Sequence, residues 1–431
     1  MHFNTTVVSA HYQELTRSWL LTDANGCQYS CRFLITSMGL LNHPTLPNIP
    51  GINYSEGVAM HTARWPDNAS LNGKRVGIIG TGATGIQTIQ EIVKVVGHLT
   101  VFQRTANWSA PLRNSKITPE EMEQIRGRYP EIFRLCDESY ACFLHGADNR
   151  QTFGVPIRER EAFWAELYAK PGFAKWLSNF SDISYNREAN AAYSEFMANK
   201  IRQRVHDPAI AEKLIPKNHG FGTRRVPLET FYFEAFNRPS VKLMDITEDP
   251  IEKITRKGVK TRDEEIELDV LIYATWFDAV TGAFTAVDIQ RVNGEKLNKH
   301  WIDGPRTRYG LFVQGFPNMM MVLGPHQMFG NIPRSIEYAV DWITDCIWYC
   351  WDNNIRRIEA THEGVTDWTD HGFKYSEGLL SKVVDPWMTG VNKNVKHKQT
   401  RSIARYSGPA AEFRRMKGNV AARNYQDLRL N

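Results

Sequence analysis

The residues Arg75-Val76-Gly77-Ile78-Ile79-Gly80-Thr81-Gly82-Ala83-Thr84-Gly85 place a G-x-G-x-x-G pattern directly after a short apolar run. Ile86, Ile89, Ile92 and Val93 continue at helical spacing, and residues 99–103 read as a second strand. Strand, glycine turn, helix and strand together are the context this pattern requires. Gly80 permits the tight turn, and Gly82 lets the backbone approach a pyrophosphate held at the helix N-terminus. Gly85 lets helix and strand pack closely. The spacing therefore predicts a dinucleotide site built on Gly80, Thr81, Gly82, Ala83, Thr84 and Gly85, with Gln87 one turn further on.

The end of the second strand bears on which dinucleotide. It reads Val101-Phe102-Gln103-Arg104-Thr105, where a site for NADH ordinarily has Asp or Glu to accept from the ribose 2′-hydroxyl. Gln103 is neutral and Arg104 is positive, and a planar guanidinium pairs well with a 2′-phosphate. Arg104 with Thr105 therefore favours NADPH.

Around this unit the chain shows several textures. Residues 7–10, 18–22 and 29–35 read as a β-meander, with Asp23-Ala24-Asn25-Gly26 as a turn. A Pro-rich connection covers residues 42–51. Residues 116–217 carry helical periodicity and few strand signals, residues 241–274 return to strands, and 335–355 form an amphipathic helix. The tail after Asn392 is polar and basic.

Bulk properties narrow the class. The chain has 431 residues, enough for two or three domains, with 42% hydrophobic and 23% charged residues and a mean hydropathy of −0.42. A net charge of +5 without a dense basic stripe suits an anionic cofactor and gives no footprint for nucleic acid. No apolar stretch approaches membrane-spanning length, and the start MHFNTTVVSA lacks the pattern of a signal peptide. The expectation is a cytoplasmic protein. The six cysteines form no C-x-x-C pair, so reduced thiols and no metal site are expected.

The segment Gly57-Val58-Ala59-Met60-His61-Thr62-Ala63-Arg64-Trp65-Pro66 is, from spacing alone, a linker carrying a His and a Trp. With it the sequence resembles the Baeyer–Villiger monooxygenases, whose signature is F-x-G-x-x-x-H-x-x-x-W-P. Gly57, His61, Trp65 and Pro66 match, while Ser55 stands in place of the Phe. The resemblance continues through Phe102-Gln103-Arg104-Thr105-Ala106-Asn107-Trp108, Arg224-Arg225-Val226-Pro227, Gly324-Pro325 and Pro386-Trp387-Met388, so it covers nearly the whole chain.

The resemblance implies an α/β fold with two dinucleotide-binding, Rossmann-like domains and a helical insertion in the NADPH domain. Residues 1–55 would be a remnant of the FAD domain and 56–115 the first part of the NADPH domain. The insertion would span 116–217, the second NADPH part 218–270, and the rest of the FAD domain 271–431. It further implies FAD and NADPH as cofactors, and a small hydrophobic ketone and O2 as substrates. The product would be an ester or lactone, in a specialised metabolic pathway.

Arg225 matches the family's active-site arginine. A fixed guanidinium there would stabilise the negative charge that builds during oxygen insertion. The resemblance makes Arg225 and His61 the catalytic candidates. Arg224, Trp387, Val7 and Ile332 join the cofactor-contacting set, with Val7 toward the FAD adenine.

The sequence departs from the family pattern at two further points. Nothing matches the family's first G-x-G-x-x-G, so the expected FAD domain is truncated at its N-terminal side. Trp276 also stands in Ala274-Thr275-Trp276, where the family has Gly. These departures raise a second reading, a catalytically silent NADPH-binding protein or one that needs a partner chain to supply the FAD segment.

Overall fold

The computed structural model describes residues 1–53, 57–328, 330–384, 391, 398, 402 and 404–431. The chain opens with the antiparallel meander β1 (Val7–Gln13), β2 (Ser18–Asp23) and β3 (Gln28–Cys31). Asp23 ends β2 and accepts from the amides of Asn25 and Cys27, both at 2.9 Å, which closes the turn before Gly26 at φ +83°. Alternation buries Ala10, Tyr12 and Trp19 against Phe316, Met319 and Met321. The run expected as one strand over 29–35 divides at Arg32 and Phe33. Its second part, β4 (Leu34–Thr36), leaves the meander and pairs in parallel with residues 319–321.

The next elements are β5 (Val58–His61), β6 (Arg75–Ile79), α1 (Ala83–Ile92), β7 (His98–Gln103) and the short β8 (Ala110–Pro111). Six helices follow: α2 (Pro119–Gly127), α3 (Tyr129–Glu138), α4 (Ile157–Ala169), α5 (Ala174–Leu177), α6 (Arg187–Arg204) and α7 (Pro208–Leu214). Their starts are legible locally. Thr118 and Glu121 form a capping box, Asn186 accepts from two amides of α6, and Asp207 precedes Pro208 at the first turn of α7. These helices do not all pack on the same neighbour. Trp164, Tyr193, Met197 and Ile201 share a core with Ile78, Ile86 and Ile89 of the glycine-turn unit. By contrast α3 is tied to the C-terminal part, where Asp137 bonds Arg334 at 2.8 Å and also Tyr338.

The chain then returns through β9 (Leu228–Glu229), α8 (Tyr232–Ala235), β10 (Val241–Asp245), the small meander β11 (Ile251–Ile254), β12 (Gly258–Thr261) and β13 (Glu265–Glu267), and β14 (Val270–Tyr273). A five-stranded, all-parallel sheet results, in the order β10-β7-β6-β14-β5. Its central strands are apolar on both faces, as a sheet covered on both sides demands. β14 lies between β6 and β5 with Tyr273 opposite Ile79. The sheet therefore runs past the expected domain boundary at residue 270 and claims residues 271–273, because all of β14 is needed to pair with β6.

The C-terminal part contains α9 (Gly282–Thr285), β15 (Asp288–Gln290), α10 (Leu297–His300), β16 (Met319–Met321), α11 (Ile332–Asp352), β17 (Ile358–Ala360), α12 (His362–Ser376), α13 (Ala410–Ala422) and β18 (Leu428–Leu430). β15 joins β1 in parallel, so the first and last thirds of the chain share a sheet. α11 starts three residues before the expected 335, since Pro333 is tolerated in a first turn. It buries Ala339, Trp342, Ile343, Cys346 and Cys350 along one stripe. All six cysteines are free thiols. Among the described residues, no helix is long and apolar enough to cross a membrane.

Two crossings join the parts. The amides of Thr45, Asp278 and Val280 donate to the carbonyls of Trp276, His43 and Leu40, at 2.9, 2.8 and 2.9 Å. Residues 40–45 and 275–280 therefore run side by side as a double linker.

Candidate active site

The glycine turn has the geometry its spacing predicts. Gly80 sits at φ +109°, and a Cβ there would lie 2.6 Å from the Ala274 carbonyl oxygen. A Cβ on Gly85 would lie 2.1 Å from the Gly80 carbonyl oxygen, so only glycine lets α1 pack this close. At Gly82 the outcome is opposite: a Cβ would meet nothing within 4 Å. Gly82 is the N-cap of α1 and brings no side chain to its free amides. The first turn, with Ala83 and Thr84, thus presents unpaired N–H groups and the positive end of the helix dipole to open space.

The neighbouring side chains have divided roles. Thr81 is buried, and its hydroxyl donates to the Thr105 carbonyl at 2.9 Å, which fastens the turn to the end of β7. Gln103 is also buried and donates to the Lys213 carbonyl at 2.7 Å. Arg104, the next residue, is exposed at the strand end. Gln87 is exposed and donates to the Leu228 carbonyl at 3.3 Å, so α1 leans on the segment that carries the two arginines.

That segment is held like a bar. β8 and β9 pair in parallel, with the Ala110 amide donating to Pro227 at 3.1 Å and the Leu112 amide to Glu229 at 2.8 Å. Asn107 donates through Nδ2 to the Arg225 carbonyl at 3.4 Å, and its Oδ1 lies 3.4 Å from Nε2 of His219. Trp108 donates to the His219 carbonyl at 2.8 Å. The stretch 104–112 therefore connects Arg104 to Arg224 and Arg225. Burial, and then the charge of Arg224, push the His219 pKa down to about 3, so this imidazole is neutral. Arg225 is exposed yet sits among enough protein that desolvation lowers its pKa. A guanidinium keeps its charge regardless. A cleft of about 570 Å³ is walled by Trp108, Ser194, Lys217, His219, Thr223 and Leu380, on the chain just before the two arginines; Arg225 itself does not line it.

His61 sits at the end of β5, against the double linker. Its Nδ1 accepts from the Ala63 amide at 3.0 Å, which puts the ring proton on Nε2, and Nε2 donates to the Thr275 carbonyl at 2.9 Å. The ring meets Phe277 edge-on, and burial lowers its pKa. Both nitrogens bond backbone groups, so His61 fastens β5 to the double linker. Trp276 is half-buried, and its carbonyl accepts from both the amide and the hydroxyl of Thr45. At this position the backbone carries the linker pairing and the indole is secondary.

The remaining expected residues lie elsewhere. Val7 opens β1 opposite Asp23, and Ile332 opens α11, whose start has no side-chain cap. Trp387 and Ser55 fall outside the described residues. Asn107 and His219 gave no signal as supports of the site, since the Asn107 bond to Arg225 spans 118 positions. Lys398 was only part of a basic tail, yet its ammonium pairs with Asp278 and donates to the Ala279 carbonyl at 2.8 Å on the double linker.

An open N–H cradle at Gly82 with Arg104 at the neighbouring strand end fits a 2′-phosphorylated dinucleotide. The uncapped α11, following a parallel strand, fits the anionic parts of a second one. The class so defined is a nicotinamide-linked flavoprotein. No family model matches the sequence. The chain is 41% identical over 438 residues to 2-oxo-Δ3-4,5,5-trimethylcyclopentenylacetyl-CoA monooxygenase of Pseudomonas putida, covering 99% of this chain and 80% of that protein. It is 40% identical over 426 residues to cyclohexanone 1,2-monooxygenase of Acinetobacter sp, covering 98% and 78%. Its fold matches the solved complex of OTEMO with FAD and NADP at a TM-score of 0.96 and 40% identity, over 100% of this chain and 81% of that one.

The chain belongs to the Baeyer–Villiger monooxygenase family. It is an FAD- and NADPH-dependent oxidoreductase that inserts one oxygen atom of O2 beside a ketone carbonyl.

Proposed function

We propose that the substrate is a hydrophobic cyclic ketone, taken to its lactone in a specialised metabolic pathway in the cytoplasm, and that Arg225 is the residue on which the reaction turns. Support comes from the relatives named for cyclohexanone and for a cyclopentenyl substrate. The carrying observation is the placement of Arg225 on the same braced segment that reaches the glycine turn. When bound, NADPH supplies a hydride and FAD supplies the ring that accepts it and activates oxygen. The α1 amides at Gly82 hold the pyrophosphate, Arg104 pairs with the 2′-phosphate, and Arg224 adds a second cation. Arg225 offsets the negative charge that develops as oxygen enters beside the carbonyl, an effect of roughly 10²–10³ in rate for a preorganised donor. His61 positions the linker. The reading needs no partner chain and is preferred to a silent NADPH-binding protein.

The test uses the purified chain with added FAD. Flavin absorbance bands that persist after gel filtration, with cyclohexanone converted to its lactone, are expected. Arg225→Ala is expected to abolish lactone while NADPH oxidation partly survives. A chain that retains no flavin, or a variant that keeps both activities equally, would overturn the proposal.

A further inference from the structure

A second concave site lies on the other part of the molecule, at the end of β1 opposite Val7. The strand between them covers about 20 Å, so this site is separate from the expected adenine contact. It encloses about 420 Å³ and is lined by Leu15, Thr16, Arg17, Ser18, Arg32 and Arg356. Two arginines of the β1-β2-β3 meander and Arg356 from the C-terminal part converge here, with two hydroxyls whose oxygens are 2.8 Å apart. No carboxylate is among the lining residues. Glu14 and Glu359 are both taken by Arg357, at 2.5 and 2.9 Å, and the Arg356 amide donates to the Asn431 backbone oxygen at 2.8 Å.

The arrangement gathers like charge. Burial and then the facing charge of Arg356 lower the pKa of Arg32. The Arg32 guanidinium donates to the Ile355 carbonyl and lies over the Phe33 and Trp351 rings, at 4.9 and 5.8 Å, while its buried Nε has no hydrogen-bond partner among the described residues. Arg17 stands in the turn at φ +49°, a conformation where Gly or Asn is the ordinary choice. A like-charge pair brought together without a counter-charge costs stability unless something anionic occupies the space between them. Guanidinium forks and hydroxyl donors are the groups that recognise phosphate oxygens.

We propose that Arg17, Arg32 and Arg356, with Thr16 and Ser18, form a binding site for the phosphate-monoester group of a small soluble metabolite. The cavity size suits a phosphoryl group with a short attached body. The site stands apart from the glycine turn, and its existence does not depend on the oxygenation reading.

Thermal melts with inorganic phosphate test this, against sodium chloride at equal ionic strength. The wild-type chain is expected to show a saturable rise in Tm. Arg356→Gln, a change at an exposed side chain, is expected to weaken the apparent affinity at least tenfold. Arg158→Gln, at an exposed arginine of α4 that belongs to neither site, is expected to leave it unchanged. A phosphate response no larger than that of chloride would overturn the proposal. An unaltered response in Arg356→Gln, or its loss in Arg158→Gln, would do the same.

Discussion

Arg204 grips Glu229 through two hydrogen bonds, at 2.6 and 3.0 Å, and with its remaining donors holds Glu234 at 2.7 Å. Glu229 is fully buried and also accepts from the Tyr232 amide at 3.0 Å. One guanidinium on α6 thereby fixes the far end of the bar that presents Arg224 and Arg225. Burial works against the Arg204 charge, and the two carboxylates more than offset it. Glu229→Gln keeps the shape but removes one acceptor and the charge. Breaking a buried pair of this kind costs about 3 kcal/mol, which urea denaturation measures. Lactone formed per NADPH consumed should fall in the same variant, since Arg225 loses its fixed position.

Gly82 and Gly85 should separate binding from folding. Gly82→Ala places a methyl where the chain itself has nothing within 4 Å. Its Tm should stay within a degree or two of wild type while the NADPH KM rises about tenfold or more, because the methyl occupies the pyrophosphate approach. Gly85→Ala drives a methyl to 2.1 Å from the Gly80 carbonyl. Overpacking of this kind costs about 1–3 kcal/mol, so here stability itself should drop. Equal effects in the two variants would contradict this division.

Arg104 should set cofactor choice. Arg104→Ala is expected to raise the NADPH KM by about ten- to a hundredfold and the NADH KM by about threefold at most, since only the 2′-phosphate uses the guanidinium fork. Steady-state kinetics with both cofactors decides it; an unchanged ratio would remove Arg104 from the phosphate site.

Lys417 makes stability depend on pH. It lies buried between Trp342 and Phe413, with its nitrogen 5.5 and 5.2 Å from the two rings, and burial pushes its pKa down to about 7 from 10.5. Between those values the unfolded chain binds more protons than the folded one, so stability should rise as pH rises from about 7 toward 10. Lys417→Met fills the same space without the charge. It should flatten that slope and raise stability near pH 7 by something on the order of 1–4 kcal/mol, read from denaturant melts across the pH range.

The sequence by itself determined the features whose physics is local. The glycine turn, the capping residues Thr118, Asn186 and Asp207, the Asp23 turn and the amphipathic stripe of α11 all depend on residues within a few positions of one another. The family pattern was equally legible, because it is an ordered set of motifs along nearly the whole chain.

Tertiary structure decided what required distant segments to meet. The partners of Gln103 and His61, the Lys213 and Thr275 carbonyls, lie 110 and 214 positions away. Of the helices read as one insertion, α4 and α6 pack on the glycine-turn unit while α3 is tied to α11 through Asp137, since helical spacing shows that a face is apolar but not what covers it. Arg224 and Arg225 acquired their place only when residues 104–112 ran alongside 225–229. Hydrogen bonds between segments more than a hundred positions apart leave no periodic trace in a sequence.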